Sequence, residues 1–247
     1  MAAKCYGVLR GRRMRVTRLD ECGVPIAGAG NEVTSKGFIK CDISSEVEDG
    51  DDYTTKNAAG ELCINESGDP QLKWLTTSID FCNVDPELFG LMTGMPLVMD
   101  GDPDNPSAIG FSVDEDTFAT VAFALEIWTD VAGQTCGTGG KTYGYALFPY
   151  NVQGALGDLT IENGAATFTI ASRTHRDSGW GIGPYEVVNV AGEPSHLLTP
   201  IRPGEHMRQF LTDVAPPADA CGAGTVPALP EITGLTVEPA SVDLTTS

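Results

Sequence analysis

The chain has 247 residues, among them 29 glycines and 16 prolines, and its formal net charge is −19. A chain of this length can bury a substantial core, and so many glycines and prolines indicate a loop-rich, mostly β protein. The strong negative charge argues against a protein that binds nucleic acid through a basic surface.

Neither a membrane segment nor a metal clip is expected. No run approaches the ~18 apolar residues that a spanning helix needs, and the basic N-terminus lacks the apolar stretch of a secretory signal. We therefore expect no membrane partner and synthesis in the cytoplasm. The seven cysteines include no C-x-x-C pair, which argues against structural zinc, and their odd number favours reduced, mostly buried thiols. Disulfides formed after release into an oxidising medium are the alternative.

The charges are unevenly distributed along the chain. Residues 1–19 hold six Lys and Arg residues and no acid, whereas residues 75–139 hold eleven acids and no Lys or Arg. A solvated acidic surface with a basic edge strand explains this pattern, and charge alone favours that interpretation. The alternative is a dipolar subunit whose basic end meets the acidic end of a neighbour.

The first third of the chain predicts two strands and a long loop. Residues 14–19 form a strand, and residues 20–25 contain the Asp and Gly typical of a turn. Residues 33–44 alternate as a second strand. The acidic stretch 46–60 is expected to be an exposed loop, because loops longer than about 12 residues are usually functional or disordered. Its acids lack the spacing of a calcium loop.

Residues 71–94 are predicted to be a strand that runs directly into a short helix. From residue 73 to 81 the odd positions are largely apolar and the even positions mostly polar, which is the period of a half-buried strand. Asp85 is a good N-cap, Pro86 suits the first helical position, and Gly94 suits the position after the last turn. One capped helix among many strands is the main architectural feature.

The longest predicted strand covers residues 118–131. Its odd positions are apolar and typical of a core. Its even positions include Thr120, Glu126 and Asp130, so we expect the even face to be wet.

A hairpin is predicted at residues 159–172, after a strand at 143–148. It turns at Asn163 and Gly164, the favoured pair for a two-residue hairpin loop. Thr167 and Thr169 lie on a polar face of its second strand. A last short strand is expected at residues 186–190.

Catalytic and cofactor motifs are not found. The three histidines are far apart, and the sequence has no G-x-S-x-G, H-E-x-x-H, Rossmann or Walker pattern. We therefore expect no enzyme, no catalytic residue, no cofactor and no metal site.

Prolines punctuate the chain from residue 191 onward. We expect residues 1–190 to form one β domain and residues 191–231 to be a Pro-rich arm or linker. Residues 232–247 resemble the first strand of a bacterial immunoglobulin-like domain. They are too short to fold as such a sandwich of about 100 residues, so we expect a stub, a tether or a site of extension.

Several motifs occur in a fixed order between residues 10 and 190: RMRVTRLDECGVP, NAAGELC, IDFCNVDPELFGLMTG, and ENGAATFTI with WGIGPY. Their order and spacing resemble those of major tail proteins, the tail tube subunits of long-tailed, siphovirus-type bacteriophages, especially of actinobacterial hosts. The resemblance implies a β-sandwich with one helix. It also implies hexameric rings that stack into a hollow tube, in which the inner sheets join into a ring barrel.

The resemblance also implies partners and a location. The chain would bind copies of itself, the tape measure protein, and the tail initiation and termination proteins. DNA would pass through the lumen without specific binding, and no membrane would be involved. The chain would be located in the virion tail, after assembly in the host cytoplasm.

Three sets of residues are candidates for tube function. An acidic lumen that repels DNA would be lined by Thr120, Glu126, Asp130, Thr167 and Thr169. Stacking would use an inter-ring loop that becomes ordered on the adjacent ring, with the candidates Glu46, Glu48, Asp49, Asp51, Asp52 and Tyr53. Nearby would be a basic interface, with the candidates Arg10, Arg12, Arg13, Arg15 and Arg18.

Two other classes of protein are alternatives. A carbohydrate-binding or adhesive β-sandwich is suggested by Trp74, Trp128 and Trp180 and by the immunoglobulin-like end. A capsid decoration protein would likewise be acidic and rich in β structure.

Overall fold

The computed structural model describes residues 6–82, 85–101, 106–114, 121–132, 141–160 and 167–230. In these residues the chain forms fifteen strands and one α-helix. The first elements are β1 (Val8–Leu19), β2 (Gly28–Ser35), β3 (Phe38–Glu48), β4 (Asp52–Lys56), β5 (Leu62–Ser67), β6 (Gln71–Phe81) and α1 (Pro86–Thr93). The remaining strands are β7 (Leu97–Met99), β8 (Ala108–Phe111), β9 (Ala122–Val131), β10 (Tyr143–Thr160), β11 (Thr167–Thr174), β12 (Val188–Val190), β13 (Glu193–Ser195), β14 (Arg208–Thr212) and β15 (Gly224–Val226).

Nine strands form one antiparallel sheet. Its order is β15-β2-β1-β9-β10-β11-β6-β3, and β14 also pairs with β10. The other strands form three hairpins, β4–β5, β7–β8 and β12–β13. The predicted fold class, an all-β sandwich with one short helix, is therefore confirmed for the described residues. Within them the sheet is not closed, because its path ends at β15 on one side and at β3 on the other.

Strand β10 joins two halves of this sheet, one formed by β15, β2, β1, β9 and β14 and the other by β11, β6 and β3. Residues 143–147 pair with β9 on one side and β14 on the other, whereas residues 151–160 pair with β11. A register shift between Phe148 and Asn151 interrupts the pairing with β9, which continues to Val152, and on the other side of β10 the partner changes there from β14 to β11. Side chains of both halves meet in one core, for example Leu125 of β9 and Ile170 of β11. The two halves therefore face each other across a shared interior.

Helix α1 begins and ends as the local sequence predicts. The Asp85 side chain accepts hydrogen bonds from the backbone N–H groups of Glu87 and Leu88, and Pro86 follows in the first turn. Gly94 ends the helix with a φ of 77°, a left-handed conformation that favours glycine. The buried residues of the helix pack into the shared core against both halves of the sheet.

The sheet is buried on both faces at β9. Its odd side chains join the core around α1, as predicted, but its even side chains Ala122, Ala124 and Trp128 enter a second core. Residues from the later part of the chain cover that side, among them Trp180, Tyr185, Val187, Leu197 and Ile201. The predicted wet even face is therefore wrong for the described part of this strand.

Residues 191–230 are part of the folded body, which corrects the prediction of an arm or linker. Strand β14 pairs with β10, and β15 pairs with β2 at the edge of the main sheet. Leu197, Ile201 and Val226 are buried in the second core. The prolines punctuate short strands and turns here because the segment follows the surface of an existing sheet.

The predicted strand 33–44 is divided between two strands. Strand β2 ends at Ser35 and lies beside β1, whereas β3 begins at Phe38 and lies beside β6. In the connection, Gly37 N–H donates to Ser35 Oγ at 2.9 Å, and Gly37 C=O accepts from Cys82 N–H at 2.9 Å. The predicted turn at 163–164, the candidate Thr120 and residues 232–247 lie outside the described residues.

Candidate assembly surfaces

A hairpin arm extends the β3–β6 pair beyond the main body. These strands pair as far as Glu48 and Gln71, and β4 and β5 then continue the ribbon, with Asp52 opposite Ser67. Every residue of β4 and β5 is exposed. We call residues 49–70 the arm. The predicted loop at 46–60 is thus mostly strand, which corrects the sequence interpretation.

One face of the arm exposes two large apolar side chains, and we call it the apolar face. Thr55 lies opposite Ile64 in the register of β4 and β5, and side chains two apart on a strand share a face. Tyr53 and Ile64 therefore point the same way, and their exposed fractions are 62% and 50%. A register shift between Thr55 and Lys56 interrupts this alternation before Leu62, which is opposite Lys56 and is 56% exposed. A two-stranded hairpin is marginal in water by itself, and exposed apolar patches mark interaction sites. This face therefore suits a protein partner.

The predicted inter-ring residues lie in the arm or directly before it. Glu46 and Glu48 end β3, where Glu48 pairs with Lys73 at 2.9 Å. Asp49 and Asp51 flank the base of the arm, and Tyr53 lies on the apolar face. Asp52 begins β4 and accepts a hydrogen bond of 2.5 Å from Ser67 Oγ. The structure thus gathers all six on one exposed segment. Four of them lie in β3 and β4, and Asp49 and Asp51 lie in the connection between these strands.

A polar sheet face is formed by β3, β6 and β11. On β6, Thr77, Ile79 and Phe81 are buried, and the alternate positions point to the opposite, partly exposed side. Thr169 Oγ1 donates to Asp80 at 2.8 Å. The alternation predicted for 73–81 and for 167–173 is confirmed. Thr167 and Thr169 share this face, as their spacing requires.

Ion pairs and a ring contact hold the cations of this face. Lys40 Nζ lies 2.7 Å from Asp42 and 3.4 Å from Asp80. The guanidinium of Arg173 lies 4.8 Å from the centre of the Trp74 ring. The sequence does not single out Asp80 or Lys40 as site residues, although the even position of Asp80 in its strand is a signal for this face.

Glu126 and Asp130 are buried ion-pair partners, which corrects their prediction as lumen residues. Arg15 donates two hydrogen bonds to Glu126, at 2.6 and 2.7 Å, and the Tyr145 hydroxyl donates a third at 2.6 Å. Asp130 lies within 3.0 Å of nitrogen atoms of Arg10, Arg12 and Lys141. The acidic even positions of this strand are thus neutralised by β1 and covered by residues that follow 178.

The predicted basic interface residues lie along β1 but have different surroundings. Arg15 is buried against Glu126, and Arg13 pairs with Asp219 at 2.9 Å. Arg10, Arg12 and Arg18 are exposed. Of the five, these three are in position to contact a partner.

The tryptophans that suggest a carbohydrate site are not available as a stacking platform. Trp128 and Trp180 are buried in the second core. Trp74 is half-buried beneath the Arg173 guanidinium. The sequence argument for an adhesive protein loses this support.

The acids at the base of the arm share a cavity of about 610 Å³ with Lys73, Arg176 and His206. In the described part of the chain, no group of three or more His, Cys, Asp or Glu side chains could hold a metal ion. None of the helices in that part is long and apolar enough to cross a membrane. Comparisons with protein-family models and with curated proteins give no match to this chain.

Proposed function

We propose that this chain is a structural subunit that assembles with copies of itself into hexameric rings, which stack into the tail tube of a long-tailed bacteriophage. The observation that carries the proposal is the arm, a ribbon whose apolar face is exposed in the single chain. Fully burying one large apolar side chain is favourable by about 1.5–3 kcal/mol, so a neighbouring copy that covers this face stabilises the assembly. The order of the sequence motifs that resemble those of major tail proteins supports this kind of assembly.

The polar face of β3, β6 and β11 suits the wall of a conduit for DNA. DNA carries one negative charge per about 1.7 Å of its axis. The two cations on this face already have partners. Lys40 pairs with Asp42 and Asp80, and Arg173 lies over the Trp74 ring. The hydroxyls and carboxylates that remain offer few binding partners to phosphates. The repulsion between the carboxylates and the DNA phosphates acts within a Debye length of about 8 Å. DNA would pass without specific binding.

In the proposed tube the arm lies on the adjacent ring. Strand β3 is the last strand of the sheet path, and an open strand edge is a template for pairing. In the proposed ring, the open edge of β3 would pair with the next copy and so continue the polar face around the ring. The tape measure protein and the tail initiation and termination proteins are the further proposed partners, and the virion tail, assembled in the host cytoplasm, is the proposed location.

Negative-stain electron microscopy of the full chain, alone and with a tail-initiation complex, tests the proposal. Hollow tubes or stacked rings are the expected result. Deleting residues 51–67 and joining Gly50 to Gly68 should abolish tubes but leave a folded monomer, because the two glycines lie in contact at the base of the arm. Dispersed monomers that persist with the initiation complex would overturn the proposal. They would favour an adhesin, whose melting temperature shifts when a glycan is added, or a capsid decoration protein, which binds capsid shells.

A pair of matched variants isolates the apolar face. Tyr53→Ser with Ile64→Ser removes two side chains of this face. Thr54→Ser with Asn65→Ser changes a cross-strand pair on the opposite face of the same hairpin. The first variant should lose stacking, whereas the second should assemble like the original chain. Equal assembly of both would show that the apolar face is not the contact.

A further inference from the structure

The apolar face of the arm also carries an acid. Tyr53 lies directly opposite Glu66 in the pairing of β4 and β5, and residues opposite each other in an antiparallel pair share a face. Thr55 and Ile64 form the next such pair on that face. The apolar face therefore combines Tyr53 and Ile64 with the carboxylate of Glu66, and all three residues are exposed.

The arm as a whole has an excess of negative charge. Its one cation is Lys56, and its acids are the exposed residues Asp49, Asp51, Asp52, Glu61, Glu66 and Asp69. In the part of the chain that the structure describes, no cation lies within ion-pair distance of these carboxylates. They are therefore available to a cationic partner.

The start of β1 is a second exposed surface with apolar side chains. Every residue from 6 to 12 is exposed, and Val8 and Leu9 are exposed by 45% and 58%. The Phe38 ring fills the space beside Gly11 in which a side chain would lie, so the strand edge is covered there. A partner would therefore pack on the side chains of this surface and not add a strand to it. We call residues 6–12 the basic end of β1.

Cations outnumber the acids around the basic end. Arg10, Arg12 and Lys141 all approach the single carboxylate of Asp130, at 2.8 to 3.0 Å. Asp213, which accepts a hydrogen bond from the residue after Lys141, is a further acid nearby. The side chains of Arg10 and Arg12 remain exposed by 78% and 42%. The basic end can therefore bind additional carboxylates.

The surroundings of the basic end keep the same sign of charge. Asp219 pairs with both Arg13 and Lys36, at 2.9 Å each, so that two cations again share one anion. Residues 1–7 and 131–142, which adjoin the paired residues Val8 and Val131 in sequence, contain no acid. In a chain with a net charge of −19, this surface is locally positive.

The arm stands free of its own subunit. Every residue of β4 and β5 is exposed, so no element of the described chain covers these strands. At about 3.3 Å per residue, the ribbon from residue 49 to its turn at residues 57–60 extends roughly 25–30 Å. The acids of the arm and the arginines of the basic end are all exposed in the single chain, so both surfaces remain open to another copy.

We propose that the arm of one copy binds the basic end of β1 in a copy of the adjacent ring. The apolar face packs against Val8 and Leu9, and Glu66 faces the exposed arginines of the basic end. The proposal rests on the proposed function, of which it names the contact between rings. Each surface joins exposed apolar groups to charge of one sign, and opposite potentials of this kind fix register and exclude wrong partners.

The contact joins two different surfaces of the same chain, so it is head-to-tail. One end of any stack then presents free arms, and the other end presents free basic ends. A head-to-tail contact that does not close on itself continues as an open filament. The stacking of rings into a tube requires an open contact of this kind.

Charge reversal on the two surfaces tests the contact. Arg10→Glu and Glu66→Arg each place like charges together where the arm meets the basic end. Exposed ion pairs are individually weak, so the critical concentration for tubes is measured by sedimentation and electron microscopy, and each single variant should raise it roughly tenfold. The chain with both changes should return to the original value, because opposite charges meet again.

Arg202→Glu is the matched control for Arg10→Glu. The Arg202 side chain is 81% exposed, against 78% for Arg10, and each of these arginines pairs with a carboxylate. Because Arg202 lies on another part of the surface, its variant should assemble at the original concentration. Asp130 retains Arg12 and Lys141 when Arg10 is changed, so circular dichroism should show the same fold in all variants.

The outcomes separate this contact from the proposed function. Single variants that form tubes at the original concentration would overturn the contact but leave the tube proposal standing. A double variant that is as impaired as the single ones would also overturn the contact, since restored charge complementarity would then have no effect. An original chain that forms no tubes, even with a tail-initiation complex, would overturn both.

Discussion

Arg15 and Glu126 lie directly opposite each other on β1 and β9 and form a two-point ion pair in the interior of the protein. The guanidinium also lies 3.2 Å from the centre of the Tyr185 ring. Burial and the neighbouring carboxylate of Glu126 raise the pKa of Tyr145 well above 10, so this hydroxyl stays protonated and donates to Glu126. Both charges are therefore satisfied without water.

Breaking this pair should strongly destabilise the fold. Glu126→Leu leaves the Arg15 guanidinium buried without an anion, and we expect a loss of about 3–5 kcal/mol in the free energy of unfolding. Urea unfolding followed by circular dichroism measures it. Asp130→Asn is the control, with an expected loss of at most about 1 kcal/mol, because Arg10 and Arg12 can be hydrated.

Replacing both members of the pair should restore most of that stability. Arg15→Met with Glu126→Leu removes both buried charges, and apolar replacements of a buried pair are often neutral or stabilising. The double variant should be more stable than Glu126→Leu alone. Losses that simply add in the double variant would contradict the interpretation of the two residues as one unit.

Cysteine reactivity should separate the arm from the core. Burial, with the nearby Asp42 carboxylate, raises the pKa of Cys41 to about 12, whereas Cys63 is exposed on β5 of the arm. At pH 8 we expect rapid alkylation of Cys63 and modification of Cys41 only after unfolding. Peptide mass spectrometry over time measures both rates. Similar rates in the folded protein would show that Cys41 is accessible.

Glu205 should make stability depend on pH in the acidic range. The hydrogen bonds from Arg208 lower the pKa of this carboxyl to about 2, from an ordinary value of 4.5. Because the pKa is depressed in the folded state, the contribution is complete above about pH 4.5 and is lost as the pH falls toward 2. The difference in Tm between the original chain and Glu205→Gln should therefore shrink over this range. A constant difference would contradict the linkage.

Asp85 should stabilise more than the start of helix α1. One carboxylate oxygen caps the helix, and the other accepts a hydrogen bond from Gly222 N–H at 3.2 Å. Asp85→Ala should lower the free energy of unfolding by about 1–2 kcal/mol. Asp85→Ser keeps a capping oxygen but not the reach to Gly222, so its loss should be intermediate. Thermal unfolding of the three proteins measures the order, and an Asp85→Ser variant as stable as the original chain would assign no role to Gly222.

Local signals were sufficient to predict helix α1 and the faces of β6 and β11. The cap at Asp85 and the left-handed end at Gly94 depend on neighbouring residues alone. The alternation of β6 likewise reports a sheet with one buried face. These features are visible in a sequence because nothing distant overrides them.

The site could be predicted only in part, because its decisive contacts are between distant residues. The even side of β9 is polar at Glu126, and alternation cannot tell a solvated carboxylate from one that is paired with an arginine 111 residues away. The cover from Leu197 and Ile201 is hidden in a stretch whose prolines indicate a linker. The arm was mistaken for a loop because a ribbon exposed on both faces lacks the buried alternation of a sheet strand.

Strand β10 determines how the subunit bears mechanical load. Because one continuous strand is shared by both halves of the sheet, a force along it is carried in shear by hydrogen bonds to β9, β14 and β11 that are loaded together. The close-packed interior between the halves resists compression and transmits strain. The halves cannot hinge apart without breaking this strand from its partners. A filament of such subunits would therefore bend at the junctions between copies, and its stiffness would be a property of those junctions.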